Sequence, residues 1–142
     1  MAPRATSSVE VRPRPGETEK LTINLGVVDL GQVDLLVQEG FYSNRTDLIR
    51  TAIRNQLALH GDAVKSTVAR RTLALGLQIF SRADLERVRA SRRMLQIQVV
   101  GLVRIAEDVT PDLARATIES VEVLGAFHAS ARVREALRDR IR

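Results

Sequence analysis

The sequence contains no cysteine, no tryptophan and only two histidines, and each scarcity excludes a kind of site. Without cysteine the chain forms no disulfide, no thiolate metal site and no cysteine nucleophile. Two histidines argue against a multi-histidine metal centre, so neither a metal nor a cofactor is expected. Aromatic residues make up only 3% of the chain, so its core must be aliphatic.

Long apolar runs are also missing. No segment approaches the roughly 20 apolar residues that span a bilayer, and the first twenty residues lack the apolar stretch of a secretory signal. These absences favour a cytoplasmic protein that does not associate with membranes. An enzyme is not expected either, because the sequence has no glycine-rich phosphate loop, no nucleophile–histidine arrangement and no clustered carboxylate pair.

Positive charge is unevenly distributed along the 142 residues. The formal net charge is +5, and residues 61–93 alone hold eight basic and three acidic side chains. A basic balance suits a polyanionic partner such as a nucleic acid.

The first sixty residues show two changes of pattern. Residues 1–19 combine proline, serine, threonine and mixed charge, which predicts a flexible tail. Leu21, Ile23 and Leu25 then alternate with polar residues, the period of a half-buried strand. The intervening polar side chains are those of Lys20, Thr22 and Asn24.

Two helices are predicted after this strand. Apolar residues recur at helical spacing over 30–37, and Gly40 is a candidate left-handed residue at the end of that helix. Asn44 can cap the next helix, with Asp47 as its capping-box partner three residues later. A second apolar stripe then covers residues 48–57.

A strand and two helices within forty residues are too little for a self-sufficient core. A lone strand also leaves its backbone groups unpaired. The simplest remedy is a second copy, in which two strands pair antiparallel and four helices cover their apolar face. The polar strand residues then point outward together, on a ribbon that fits the major groove of B-DNA.

Residues 20–59 resemble the ribbon-helix-helix family, in particular its CopG-like branch. The resemblance is carried by KLTINL, LGQVDLLV and GFYSNRTDLIRTAIRNQL. It implies an obligate homodimer through residues 20–59 that binds double-stranded DNA. It also implies base contacts from Lys20, Thr22 and Asn24, and phosphate contacts from Asn44, Arg45 and Thr46.

Elementary electrostatics supports the phosphate site, because the N–H groups and dipole at a helix start favour an anion. The sequence departs from the family at residues 26–28, where Gly-Val-Val replaces the usual proline or serine and acidic residues. The start of the first helix is therefore left open.

Residues 62–69 are predicted as a linker or as the frayed end of the second helix, and residues 70–142 as a second domain in the order β-α-β-α-β-α. The predicted strands cover residues 73–79, 95–105 and 120–129. Helices are predicted after Ser81, which has Asp84 as its capping-box partner, after Thr110, and from about Ala131, with Val133, Leu137 and Ile141 on one face.

This second domain contains a repeat. Residues from Gln98 align with residues from Glu122 at an offset of 24, which pairs Gly101 with Gly125, and Gly76 lies 25 residues before Gly101. Such periods favour stacked strand–helix units with parallel strands; the alternative is a ferredoxin-like sheet. The open ends of a stack invite another chain, so the domain is expected to form a higher homo-oligomer or to sense a ligand.

The predicted fold class is therefore α+β, with a ribbon-helix-helix over residues 20–61 and a small repeat domain. The predicted function is that of a sequence-specific DNA-binding transcriptional regulator, a repressor. Two alternatives stay open: an antitoxin of a toxin–antitoxin pair, and a DNA-attached structural protein that self-assembles.

Overall fold

The computed structural model describes residues 17–142; most of the predicted tail, residues 1–16, lies outside the described residues. Six α-helices and three strands follow in chain order, with a final 3₁₀ turn over Arg138–Arg140. They are α1 Val27–Gln38, α2 Arg45–Leu59, α3 Gly61–Arg70, β1 Ala74–Phe80, α4 Arg82–Ala90, β2 Leu95–Ile105, α5 Pro111–Thr117, β3 Ile118–His128 and α6 Ala131–Ala136.

The end of α1 follows the predicted geometry. Gly40 has a φ of +83°, which a residue with a side chain rarely adopts. The Phe41 N–H donates to the Leu36 carbonyl at 3.0 Å, and the Gly40 N–H donates to the Val37 carbonyl at 3.1 Å. These two bonds form a Schellman motif, so the prediction that Gly40 ends the helix is confirmed.

Two side chains cap the start of α2, but they do not form the reciprocal capping box that was predicted for Asn44 and Asp47. The Asp47 N–H donates to Asn44 Oδ1 at 2.8 Å, as expected for an N-cap. The Asp47 carboxylate, however, accepts the N–H of Ser43 at 3.0 Å rather than that of Asn44. The Asp47 side chain therefore bonds to the residue before the N-cap, and the predicted reciprocal bond to Asn44 is replaced.

Residues 62–69, which were predicted as a linker or as the frayed end of the second helix, form the body of a separate helix, α3. They contain neither proline nor glycine, so nothing in them interrupts a helix. Only His60 separates α2 from α3, and the Val64 N–H donates to its carbonyl at 3.0 Å. The connection between the two halves of the chain is thus helical.

The predicted strand Leu21–Leu25 has no regular secondary structure in the single chain. A strand satisfies its N–H and C=O groups only by pairing with another strand. The three strands found within residues 17–142 pair with one another and leave residues 21–25 without a partner strand in that range. Pairing with a second copy therefore stays a prediction.

The second half forms a three-stranded parallel sheet in the order β1-β2-β3. Its register pairs Gly76 with Gly101 and Gly101 with Gly125, the same glycines that the sequence offset aligns. A helix connects each strand to the next. The ferredoxin-like alternative is wrong, because that fold has two strands directly following one another at its centre.

The helices α4, α5 and α6 cover one face of this sheet and enclose an aliphatic core. The Ser81–Asp84 capping box at the start of α4 is confirmed in both directions. Thr110 caps α5, whose first residue is Pro111, also as predicted. The core residues are Leu85, Ile97, Val99, Val103, Ile105, Val109, Leu113, Ala114, Ile118, Val121, Val133 and Leu137.

The end of the chain differs from the prediction of one long final helix. The helix α6 ends at Ala136, and Ile141 forms a bridge to Val121 at the edge of β3. The Arg142 N–H donates to the Val121 carbonyl at 2.8 Å. The edge of β3 was expected to be unpaired. Ile141 and Arg142 therefore pair with part of it.

Candidate nucleic-acid interface

The three predicted base-contacting residues lie on an exposed segment that leads into α1. Lys20, Thr22 and Asn24 are all exposed, and so are the apolar residues between them. Leu21 is 78% exposed and Ile23 56% exposed. In the single chain both sides of this segment are thus exposed to solvent. They include the aliphatic side, with Leu21 and Ile23, which the alternating pattern predicts to be buried.

The same lack of burial extends through the first three helices. None of the residues in α1, α2 or α3 is buried. Of the 17 large hydrophobic side chains that are exposed among residues 17–142, eleven lie between Leu21 and Val64. The described residues of the first half, 17–70, therefore have apolar surface but no core of their own.

The start of α2 has the geometry that the predicted phosphate site needs. Asn44 caps the helix with its side-chain oxygen, and Arg45 and Thr46 are the next two residues, both exposed. By position, the N–H groups of these two residues lack an intrahelical acceptor. Together with the positive end of the helix dipole, they can bind an anion.

Arg45 already has an anionic partner in the chain. Its Nε lies 2.7 Å from Asp34 Oδ1, and its Nη2 lies 2.8 Å from Asp34 Oδ2, so the pair is bidentate. The hydrogen bonds from Arg45 lower the pKa of Asp34, and the carboxylate raises the pKa of Arg45. Both side chains remain about half exposed.

Asp34 is the residue of this site that the sequence did not reveal. It lies on α1, eleven residues before Arg45, and only the turn between the helices brings the two together. No periodicity within one helix predicts such a pair.

The last residues of the predicted tail also have a defined contact. Glu19 Oε1 lies 2.7 Å from His128 Nε2, at the end of β3. Glu19 directly precedes Lys20, so this contact links the start of the candidate DNA-binding segment to the sheet. The flexibility of residues 1–19 stays a prediction.

No group of three or more histidine, aspartate or glutamate side chains in residues 17–142 has an arrangement that could hold a metal ion. None of the helices in the described part is both long and apolar enough to cross a bilayer.

Comparison with known proteins identifies the family. No curated protein and no solved structure matches the chain. The sequence does match the profile of the Ribbon-Helix-Helix transcriptional regulator family, over residues 16–134. That match includes the candidate interface and also β1 to β3, well beyond the resemblance over residues 20–59. Because it covers most of the chain, the protein belongs to the ribbon-helix-helix family of transcriptional regulators.

Proposed function

We propose that this protein is a sequence-specific DNA-binding repressor that works as a homodimer through residues 20–59. The observation that carries the proposal is the contrast in burial between the two halves. Residues 73–137 enclose a complete aliphatic core, whereas α1, α2 and α3 contain no buried residue. Exposed apolar surface on this scale marks an interaction site, and two copies can bury it against each other.

The dimer generates the DNA-binding surface. Antiparallel pairing of residues 20–25 satisfies their backbone groups and turns Leu21, Ile23 and Leu25 into the shared core. The polar residues of both copies then form one face of a two-stranded ribbon, which enters the major groove. A dimer seated there represses transcription by excluding other proteins from the same groove.

Two sets of residues make different kinds of contact with DNA. Lys20, Thr22 and Asn24 read base edges, while Asn44, Arg45 and Thr46 hold flanking phosphates at the start of α2. Phosphate contacts fix the register of the protein on the duplex, and base contacts supply specificity.

The second half favours a regulator over an antitoxin. Antitoxin tails are expected to be short and to fold on binding a toxin. Residues 73–137 instead enclose their own core, with capped helices and a parallel sheet. In the proposal this domain joins ribbon dimers into a larger assembly, so that several ribbons bind an array of half-sites with avidity.

Selection of bound duplexes from random DNA, followed by footprinting, tests the proposal as a whole. We expect recovery of a short palindromic or directly repeated sequence, with protection over more than one half-site. Recovery of unrelated sequences would contradict sequence-specific binding, and protection limited to the site of one ribbon dimer would contradict the larger assembly.

Asn24→Ala is expected to relax specificity at one base position of each half-site. A good bidentate contact to a base contributes about 1–3 kcal/mol of discrimination, which is roughly a 5- to 150-fold difference in affinity between the right and wrong base. Competition binding with the selected duplex and its single-base variants measures this. If discrimination at every position survives both Asn24→Ala and Thr22→Ala, the ribbon assignment is wrong.

Arg45→Ala is expected to weaken binding to all sequences alike and to lower the salt dependence by about one phosphate contact. The ion pair with Asp34 does not prevent Arg45 from binding a phosphate. An exposed ion pair contributes only about 0–1 kcal/mol, so a phosphate can displace Asp34. Titrations at several salt concentrations give the slope. Asp34→Ala is the matched control, and we expect it to leave affinity unchanged or raised; a similar loss in both variants would assign Arg45 to the helix packing alone.

A further inference from the structure

Four exposed arginines at one edge of the sheet have no anionic partner within residues 17–142. We call them the arginine edge: Arg70, Arg89, Arg92 and Arg93. The two arginines in the first turns of α4 differ from them. Arg82 pairs with Glu86, and Arg87 with Asp84. The arginine edge therefore holds positive charge that the described part of the chain does not neutralise.

The parallel sheet brings these arginines to the same place. Arg70 ends α3, which leads into β1, whereas Arg92 and Arg93 lie between α4 and β2. Arg89 lies in the last turn of α4. Because β1 and β2 pair directly and run parallel, the segments that precede them lie at one edge of the sheet. The fold therefore collects charges that are 22 residues apart in the sequence, at Arg70 and Arg92.

Arg92 occupies a backbone position at which glycine is the usual residue. Its φ is +57°, in the left-handed region. It follows Ser91, the C-cap of α4, and glycine is preferred at the position after a C-cap. An arginine is present there against the backbone preference, although its side chain makes no hydrogen bond or ion pair within residues 17–142. Residues in such conformations cluster at functional sites, so Arg92 points to a binding surface.

The phosphate backbone of duplex DNA is the partner that fits the arginine edge. A guanidinium group donates hydrogen bonds in a planar fork that matches phosphate oxygens, and clustered arginines bind DNA of any sequence through these charges. Residues 89–94 contain no aromatic side chain, so they offer no platform on which the bases of a single strand stack. The chemistry therefore favours binding to a duplex without regard to its sequence.

The helices α2 and α3 separate the arginine edge from the duplex that the ribbon binds. In the proposed function the start of α2 holds a phosphate, so the axis of α2 leads away from that duplex. The 15 residues of α2 carry the chain about 22 Å. The helix α3 does not pack back along α2. The arginine edge therefore lies beyond the reach of its side chains to the first duplex.

We propose that the arginine edge binds the phosphates of a second DNA duplex, so that the protein bridges two DNA segments. The proposal rests on the proposed function, which places the ribbon on the first duplex. The ribbon selects one sequence, whereas the arginine edge accepts any sequence. A repressor with both surfaces holds distant DNA beside its own site, which is a further activity beyond occupying that site.

A capture experiment with the full-length protein tests the proposal. The selected duplex is immobilised and saturated with protein, free protein is washed away, and binding of a labelled duplex of unrelated sequence is measured. The wild type is expected to capture the labelled duplex. Raising the salt concentration from 50 to 200 mM should weaken this capture on the order of 100-fold, if four arginines each neutralise one phosphate.

Arg92→Gly is the most informative variant, because it removes a charge and suits the left-handed backbone. Its circular dichroism and its affinity for the selected duplex should match those of the wild type, while the salt slope of capture falls by about one. Adding Arg89→Gln and Arg93→Gln should abolish capture. Arg132→Gln is the matched control: Arg132 is also exposed, but it lies on α6, which begins at the opposite edge of the sheet, so capture should be unchanged.

The outcomes separate this inference from the proposed function. If the wild type binds the selected duplex but captures no second duplex, the bridge is overturned and sequence-specific binding stands. Undiminished capture by the triple variant would show that another surface joins the duplexes. If the triple variant instead loses affinity for the selected duplex itself, the arginines contact the first duplex, which also overturns the bridge. Failure of the wild type to bind the selected duplex in the first step contradicts both proposals.

Discussion

Ile23→Asp is expected to abolish the dimer and, with it, binding to DNA of any sequence. In the paired ribbon Ile23 is the central apolar residue of the strand, and the two copies place two aspartates in one small core. Each uncompensated buried charge costs about 3–5 kcal/mol, comparable with the whole stability of a small domain. Sedimentation and mobility-shift titrations on the full-length protein measure the two losses.

Thr22→Ala is the control for this prediction, because Thr22 neighbours Ile23 but belongs to the opposite side of the strand. It should leave the dimer intact and change only base discrimination. The second domain provides an internal reference, since its core does not involve residues 20–25 and its strands should keep their circular dichroism. A dimeric Ile23→Asp protein that still binds the selected duplex would refute the shared core.

Local chemistry made much of the first half predictable. The left-handed Gly40 and the capping Asn44 act within one turn of their own position, so residue type and spacing were enough. Residues 62–69 show no clear apolar pattern, yet they contain no helix breaker and form most of α3. The predicted pairing of residues 20–25 involves a second chain and therefore stays a prediction.

In the second half of the chain, the sequence predicted the strands but not the faces that the helices cover. Alternation predicted β1, and the offset between glycines matched the register of the sheet. Alternation does not say which side of a strand the helices will cover, however, and here they leave Leu75 and Leu77 outside. Contacts such as Arg45 with Asp34, or Glu19 with His128, join residues that no short-range pattern connects. The residues of the proposed site were chosen from the sequence alone, but the contacts that Arg45 and Glu19 make with distant residues could not be predicted from it.

Gly101→Ala is expected to be the most destabilising small substitution in the second domain. Gly101 has a φ of +139°, outside the range that alanine prefers. A β-carbon built on it would lie 2.1 Å from the carbonyl oxygen of Gly76 on the neighbouring strand. Since that atom belongs to the backbone of a paired strand, the clash is relieved only by separating β1 from β2. Strained backbone costs about 1–3 kcal/mol and overpacking about 1–3 kcal/mol more.

Gly76→Ala separates these two contributions. Gly76 has a similar φ of +128°, but a β-carbon there meets nothing within 4 Å, because β1 is the first strand of the sheet. The free energy of unfolding of Gly76→Ala should therefore fall only by the cost of the strained backbone conformation. That of Gly101→Ala should fall by this cost and by the cost of the steric clash together. Urea unfolding followed by circular dichroism compares the two midpoints, and Gly125→Ala, which meets the Gly101 oxygen at 2.1 Å, should behave like Gly101→Ala. Equal losses of stability in Gly76→Ala and Gly101→Ala would show that the glycines are required for their backbone conformation alone. Close approach of the strands would then not explain them.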